Sequence, residues 1–230
     1  MLETYAEDFL SNKMKIDLDD LYEKLGRHSL IRHKGAIVTA IHYYISQIHE
    51  QQNLNYIAEP HFLDDTPAEQ AINCYYNEHF DESLDEEAKE VSDSLRHAFC
   101  SFAFGGLHQL FTRQENEVWY PSIVLDSELT PNDIENLPST VVLYRGTDCR
   151  EYESRKFRQS WTTSLQVAKD FAFKHYQNQP WFSEQDRVVL KTVYPKSGIY
   201  FSDQRCEFEV AINTRKIGQV EVVSSLNQRH

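Results

Sequence analysis

The hydrophobic pattern of this chain changes period partway along, and the order of that change restricts the fold. As far as Phe104, apolar residues recur at three and four, the spacing of amphipathic helices. Asp17 to Leu25 reads as a short helix, with Leu18, Leu21, Tyr22 and Leu25 on one face and Gly26 as its stop. Gly35 to Glu50 carries a broad stripe of Ile37, Val38, Ile41, Tyr44, Ile45 and Ile48. A loop over Pro60 to Pro67 precedes a helix from Pro67 to His79, and a turn over Asp81 to Asp85 precedes one from Glu86 to Phe104. Gly105-Gly106 is the expected end of that last helix. From Thr140 the apolar residues come instead in short runs of strand length: Thr140 to Arg145, Arg187 to Tyr194, Glu207 to Asn213 and Gln219 to Ser224, with Val118 to Leu125 a further candidate. Between them, Ser164 is placed to cap a helix through Gln177, with Leu165, Ala168, Phe171, Ala172 and His175 inward. Helices first and strands later predict an α+β fold, with a helical region over residues 1–115 and a β-core over 116–230.

The chain has 230 residues, enough to bury a substantial core as one large domain or two small ones. No apolar run reaches membrane-spanning length and Met1-Leu2-Glu3-Thr4 opens acidic, so a cytoplasmic protein off the membrane is expected. Cys74, Cys100, Cys149 and Cys206 form no CxxC pair, which argues for reduced thiols and against a zinc site. His42 and His49 lie on a helix flank with no third ligand near, so no metal is expected there. Charge is uneven: residues 139–230 hold 14 Lys+Arg and 10 Asp+Glu, net +4, which leaves −17 of the total −13 on residues 1–138. The later half can attract an anion, while the acidic half aids solubility or docks a basic partner.

Several familiar sites are missing from the sequence: there is no GxGxxG, P-loop, HExxH or GxSxG. Trp119, Trp161 and Trp181 are too scattered for a nucleic-acid stacking platform. Three pieces remain. Tyr144-Arg145-Gly146 puts an arginine at a strand tip, able to hold an anion or to pair a structural carboxylate. Its glycine would let a ligand approach the backbone. Ser160-Trp161-Thr162-Thr163-Ser164 bunches hydroxyls before a helix, of which one is expected to be a cap. Glu207-Phe208-Glu209 puts two carboxylates on one face of a strand, since strand side chains alternate. Such a pair suits acid–base or cation-stabilising chemistry, or else a solvated edge strand.

The order of these pieces resembles the arginine–serine–glutamate class of mono-ADP-ribosyltransferases, the fold of many bacterial toxins. The matching residues are Arg145-Gly146, Thr162-Thr163-Ser164 and Glu207-Phe208-Glu209, across about Leu137 to Val223. The first hydroxyl of the triplet is Thr162 where the family has serine. The resemblance implies a split, mostly antiparallel sheet and NAD+ as substrate, without a metal. It implies that Glu209 stabilises the cationic transition state, that Thr162 fixes Glu209, and that Glu207 serves the acceptor. It further assigns NAD+ binding to Arg145, Gly146, Thr163 and Ser164, and ring packing to Phe171 or Tyr200. Target recognition would fall to the loop Tyr200 to Arg205, including Ser202, Asp203 and Gln204. Glu-x-Glu in the family accompanies transfer to protein arginine. The basic residues Arg150, Arg155, Lys156 and Arg158 suit a polyanion instead, and RNA is the favoured target over DNA or protein. A similarity to toxins of toxin–antitoxin–chaperone phage-defence systems implies an antitoxin or chaperone as partner.

Overall fold

A computed structural model describes residues 2–54, 65–80, 85–114, 119–179, 182–205 and 207–225. The expected loop at Pro60, the turn at Asp81, the start of the Val118 strand, Trp181, Cys206 and the 115/116 boundary lie outside the described residues. The chain divides into two compact units, Met1–Val124 and Leu125–His230.

The first unit is helical. It contains α1 (Thr4–Asp8), α2 (Leu18–Leu25), α3 (Lys34–Asn53), α4 (Pro67–His79) and α5 (Glu86–Thr112). Two of these helices, α2 and α4, begin at a side-chain cap that satisfies orphan N–H groups. Asp17 accepts from Asp19 and Asp20 N–H in α2, and Thr66 and Glu69 form a reciprocal capping box with Pro67 in the first turn of α4. The expected stripe of α3 is buried at Ile37, Ile41, Tyr44, Ile45 and Ile48. Gln51, 8% exposed, ties three helices together: its Nε2 donates to Ala103 C=O on α5, and its Oε1 accepts from Ala68 N–H in the first turn of α4. Gly105-Gly106 does break the helical dihedrals, with Gly106 at φ 64°, but a further turn and a half follows instead of a stop. No strand forms over the described part of Val118 to Leu125; Ile123 makes one isolated bridge to Ile16.

Among the described residues, the second unit is a six-stranded antiparallel sheet with two α-helices. Its strands are β1 (Thr140–Asp148), β2 (Ser160–Thr162), β3 (Arg187–Pro195), β4 (Ile199–Asp203), β5 (Glu209–Ile212) and β6 (Val220–Ser225), in spatial order β4-β5-β2-β1-β3-β6. The α+β class is therefore observed. One face packs Val141, Leu143, Trp161, Val188, Leu190, Val210 and Ile212 into the larger core, with Cys149 and Tyr152 of α6 (Cys149–Ser154) against it. The other face receives α7 (Leu165–Phe173) through Ala168, Ala172 and Phe173 against Val189. The helix α7 is shorter than expected: it ends at Phe173, and Leu165 and His175 are exposed. The seam between β1 and β2 is narrow, with Tyr144↔Thr162 its one registered pair. No helix among the described residues is long and apolar enough to cross a membrane.

Candidate active site

The three sequence pieces lie on adjacent strands, β1, β2 and β5. Tyr144 pairs with Thr162, and Thr162 with Glu209, which sets these three side chains in one row on one face. The sheet order does this, since the strands are separated by up to about sixty residues along the chain.

Strand β5 begins at Glu209 rather than Glu207, which corrects the expectation of two carboxylates alternating on one strand. Phe208 takes a left-handed conformation, φ 54°, so the backbone turns between the two acids and Glu207 stands exposed before the strand. The end of β2 pins that turn. Thr163 N–H donates to Phe208 C=O at 3.0 Å, and Thr162 Oγ1 donates to Glu207 C=O at 2.9 Å while accepting from Ser164 N–H. Thr162 thus faces Glu209 across the ladder but spends its hydroxyl on the backbone. The hydroxyl that holds the Glu209 carboxylate belongs to Ser160, whose Oγ donates to Oε1 at 2.8 Å. Ser160 lies two residues before Thr162 and so shares its face; that spacing is the signal by which the sequence marks it. Burial pushes the half-buried Glu209 carboxyl above the ordinary range, and Glu207 and Asp203 add to the rise against the Ser160 hydrogen bond.

Arg145 does not join this row. It pairs with Leu190, and alternation puts it with Leu143 and Leu190 on the face of the larger core, opposite Tyr144, Thr162 and Glu209. Each of its three guanidinium nitrogens has a protein acceptor. Nε and Nη2 grip Glu151 at 2.8 and 3.1 Å, and Nη1 donates to Ser160 C=O. Glu151 also accepts from Thr147 Oγ1 and from Arg158 N–H. Burial alone would raise the Glu151 carboxyl; Arg145, Thr147 and Arg158 outweigh it and hold the group below its usual range.

Gly146 has a use that needs no ligand. A Cβ there would come within 2.1 Å of Ala168 O and 2.5 Å of Ala172 N, so the glycine lets α7 lie directly on β1. Ser164 is the N-cap of α7, accepting from Val167 N–H, and Thr163 Oγ1 donates to Gln204 Oε1 at 2.6 Å. Phe171 sits half-buried beside the rings of His175 and Tyr176.

The expected loop is in large part a strand: Tyr200 to Asp203 belong to β4, with Phe201 and Ser202 buried and paired to β5. Ser202 is 1% exposed. Gln204 is occupied internally, donating to Ser202 Oγ and Glu209 C=O and accepting from Thr163, while Asp203 pairs with Arg205 at 2.6 Å. The basic residues do reach solvent: Arg150, Arg155, Lys156 and Arg158 are all exposed on α6 and the segment that follows it. Arg155 lies over the rings of Tyr152 and Phe157, and Arg150 stands 3.7 Å from Asp148. No group of three or more His, Cys, Asp or Glu suited to a metal ion occurs among the described residues. Neither family models, curated proteins nor solved structures match this chain.

Proposed function

We propose that the chain is an NAD-dependent mono-ADP-ribosyltransferase that modifies a macromolecule, with RNA favoured as the acceptor. The observation that carries this reading is the row Tyr144–Thr162–Glu209 across β1, β2 and β5, ending in a half-buried carboxylate held by Ser160. Transfer breaks the bond between ribose C1′ and the nicotinamide nitrogen, which takes the electron pair and leaves neutral. Positive charge grows on the ribose. A fixed carboxylate in a partly desolvated place stabilises that charge without reorganising. The acceptor then bonds to C1′ and gives up its proton, for which exposed Glu207 is the nearest carboxylate in sequence.

RNA is favoured by the exposed cations of α6 and its following segment, in the same unit as Glu209. The side chain of Lys156 makes no hydrogen bond or ion pair among the described residues, which leaves it available to phosphates. The proposal includes cytoplasmic action as a toxin restrained by a basic antitoxin or chaperone that binds the acidic helical unit. The test uses NAD labelled in its adenine ring, incubated with protein and cell lysate. RNase-sensitive, protease-resistant label together with released nicotinamide is expected. Label removed only by protease would move the assignment to protein arginine; no nicotinamide release would remove the transferase reading altogether.

A further inference from the structure

We infer that Glu151 is a positioning residue for the Glu209 carboxylate, acting from the opposite face of the sheet through Arg145 and Ser160. This rests on the assignment of Glu209 made above. A continuous chain of contacts carries it. Glu151 receives Arg145 Nε and Nη2, Arg145 Nη1 donates to the Ser160 carbonyl, and Ser160 Oγ donates to Glu209 Oε1. The two halves of the relay lie on different faces, since Arg145 alternates with Leu143 while Ser160 and Glu209 point the other way. The backbone of Ser160 is the link through the sheet.

Strand β2 is paired with β5 along its whole length but with β1 at one point only. It is three residues long, and its registered contact with β1 is a single pair at Tyr144↔Thr162. Ser160 lies beyond that pair, so its carbonyl on the β1 side depends on the Arg145 side chain. The Arg145 fork is in turn fixed by Glu151, whose side chain is 12% exposed and which is braced by Thr147 Oγ1 and Arg158 N–H. Arg145 on this account aims the catalytic carboxylate and does not hold the substrate's phosphates.

The test compares Glu151→Gln, Ser160→Ala, their combination, and the paired replacement Arg145→Met with Glu151→Leu. The paired replacement keeps volume and leaves no unpaired buried charge, so it keeps the test decisive should a lone substitution fail to fold. The first readout is the titration of the Glu209 carboxyl by carbon NMR, assigned by its loss in Glu209→Gln. Glu207 and Asp203 are the other charged groups acting on it, and none of the variants removes them. An upward shift of the midpoint is expected in every variant, with no further shift when Ser160→Ala is added to Glu151→Gln. The second readout is nicotinamide release: kcat should fall on the order of tenfold to a hundredfold, as for a misaimed catalytic group. KM for NAD should stay within about twofold. An unchanged Glu209 midpoint in the paired replacement, or a raised KM with kcat retained, overturns the inference. The titration needs no turnover, so an inactive parent protein would defeat the proposed function while leaving the role of Glu151 to be judged by NMR.

Discussion

On the proposed reading, Glu209 carries both the chemistry and its cost in stability. Its carboxyl has a raised pKa in the folded protein, so the native state holds that proton more tightly than the unfolded chain. Ionisation therefore destabilises the fold: the penalty is absent below the unfolded pKa and becomes complete as pH rises through the folded one. Glu209→Gln removes it. The variant is expected to melt higher than the parent at neutral pH, with the gain vanishing in acid, and to lose roughly 3–4 kcal/mol of transition-state stabilisation. Melting curves across pH with nicotinamide release at neutral pH check both halves; a variant that is less stable and still active contradicts them. Glu207, exposed before β5, is expected to behave differently. Glu207→Ala should suppress transfer to the macromolecule more than hydrolysis of NAD, because water needs less positioning, and the two rates measured on one sample decide it. Glu151 has the opposite sign from Glu209: its lowered pKa contributes stability above the unfolded value that is lost as pH falls through the folded one.

At the level of elements, the decisive contact is α7 on β1. Helix and strand backbones approach so closely at Gly146 that any Cβ meets Ala168 O and Ala172 N, and neither atom can rotate away. Gly146→Ala is expected to cost roughly 1–3 kcal/mol or more, read as a lowered melting temperature. A role confined to ligand approach would leave stability unchanged and weaken NAD binding alone. The turn at Phe208 is a second such feature. It separates Glu207 from Glu209, and the β2 end holds it through Thr162 and Thr163.

On the scale of the whole molecule, charge follows the division into units. Met1–Val124 carries 9 Lys+Arg and 22 Asp+Glu, net −13, and Leu125–His230 carries 14 of each, net zero. The attraction for a polyanion must then come from local placement rather than from the overall sign of the second unit. Reversing two exposed cations, Arg155→Glu with Lys156→Glu, is expected to reduce RNA labelling steeply and salt-dependently while sparing NAD hydrolysis. Equal loss of both reactions would mean that these residues support the fold or the NAD site.

The sequence by itself determined the class of fold and most elements, because periodicity, caps and glycines are local signals. The helix Pro67–His79, the stripe of α3, the cap at Ser164 and strands β1, β3 and β6 were legible in this way. Short β2 and β4 were not read as strands from their own residues, since three to five residues carry little periodic signal and their pairing partners lie far along the chain. Candidate residues were legible as types: Arg145, the hydroxyl cluster and Glu209 lie on neighbouring strands. Their roles were decided only by the tertiary structure. Register made Ser160 the partner of Glu209, and alternation sent Arg145 to the other face and into Glu151. A positive φ at Phe208 parted the two glutamates. Each of these depends on which strand lies beside which and in what register, a long-range outcome of packing that no short window of sequence contains.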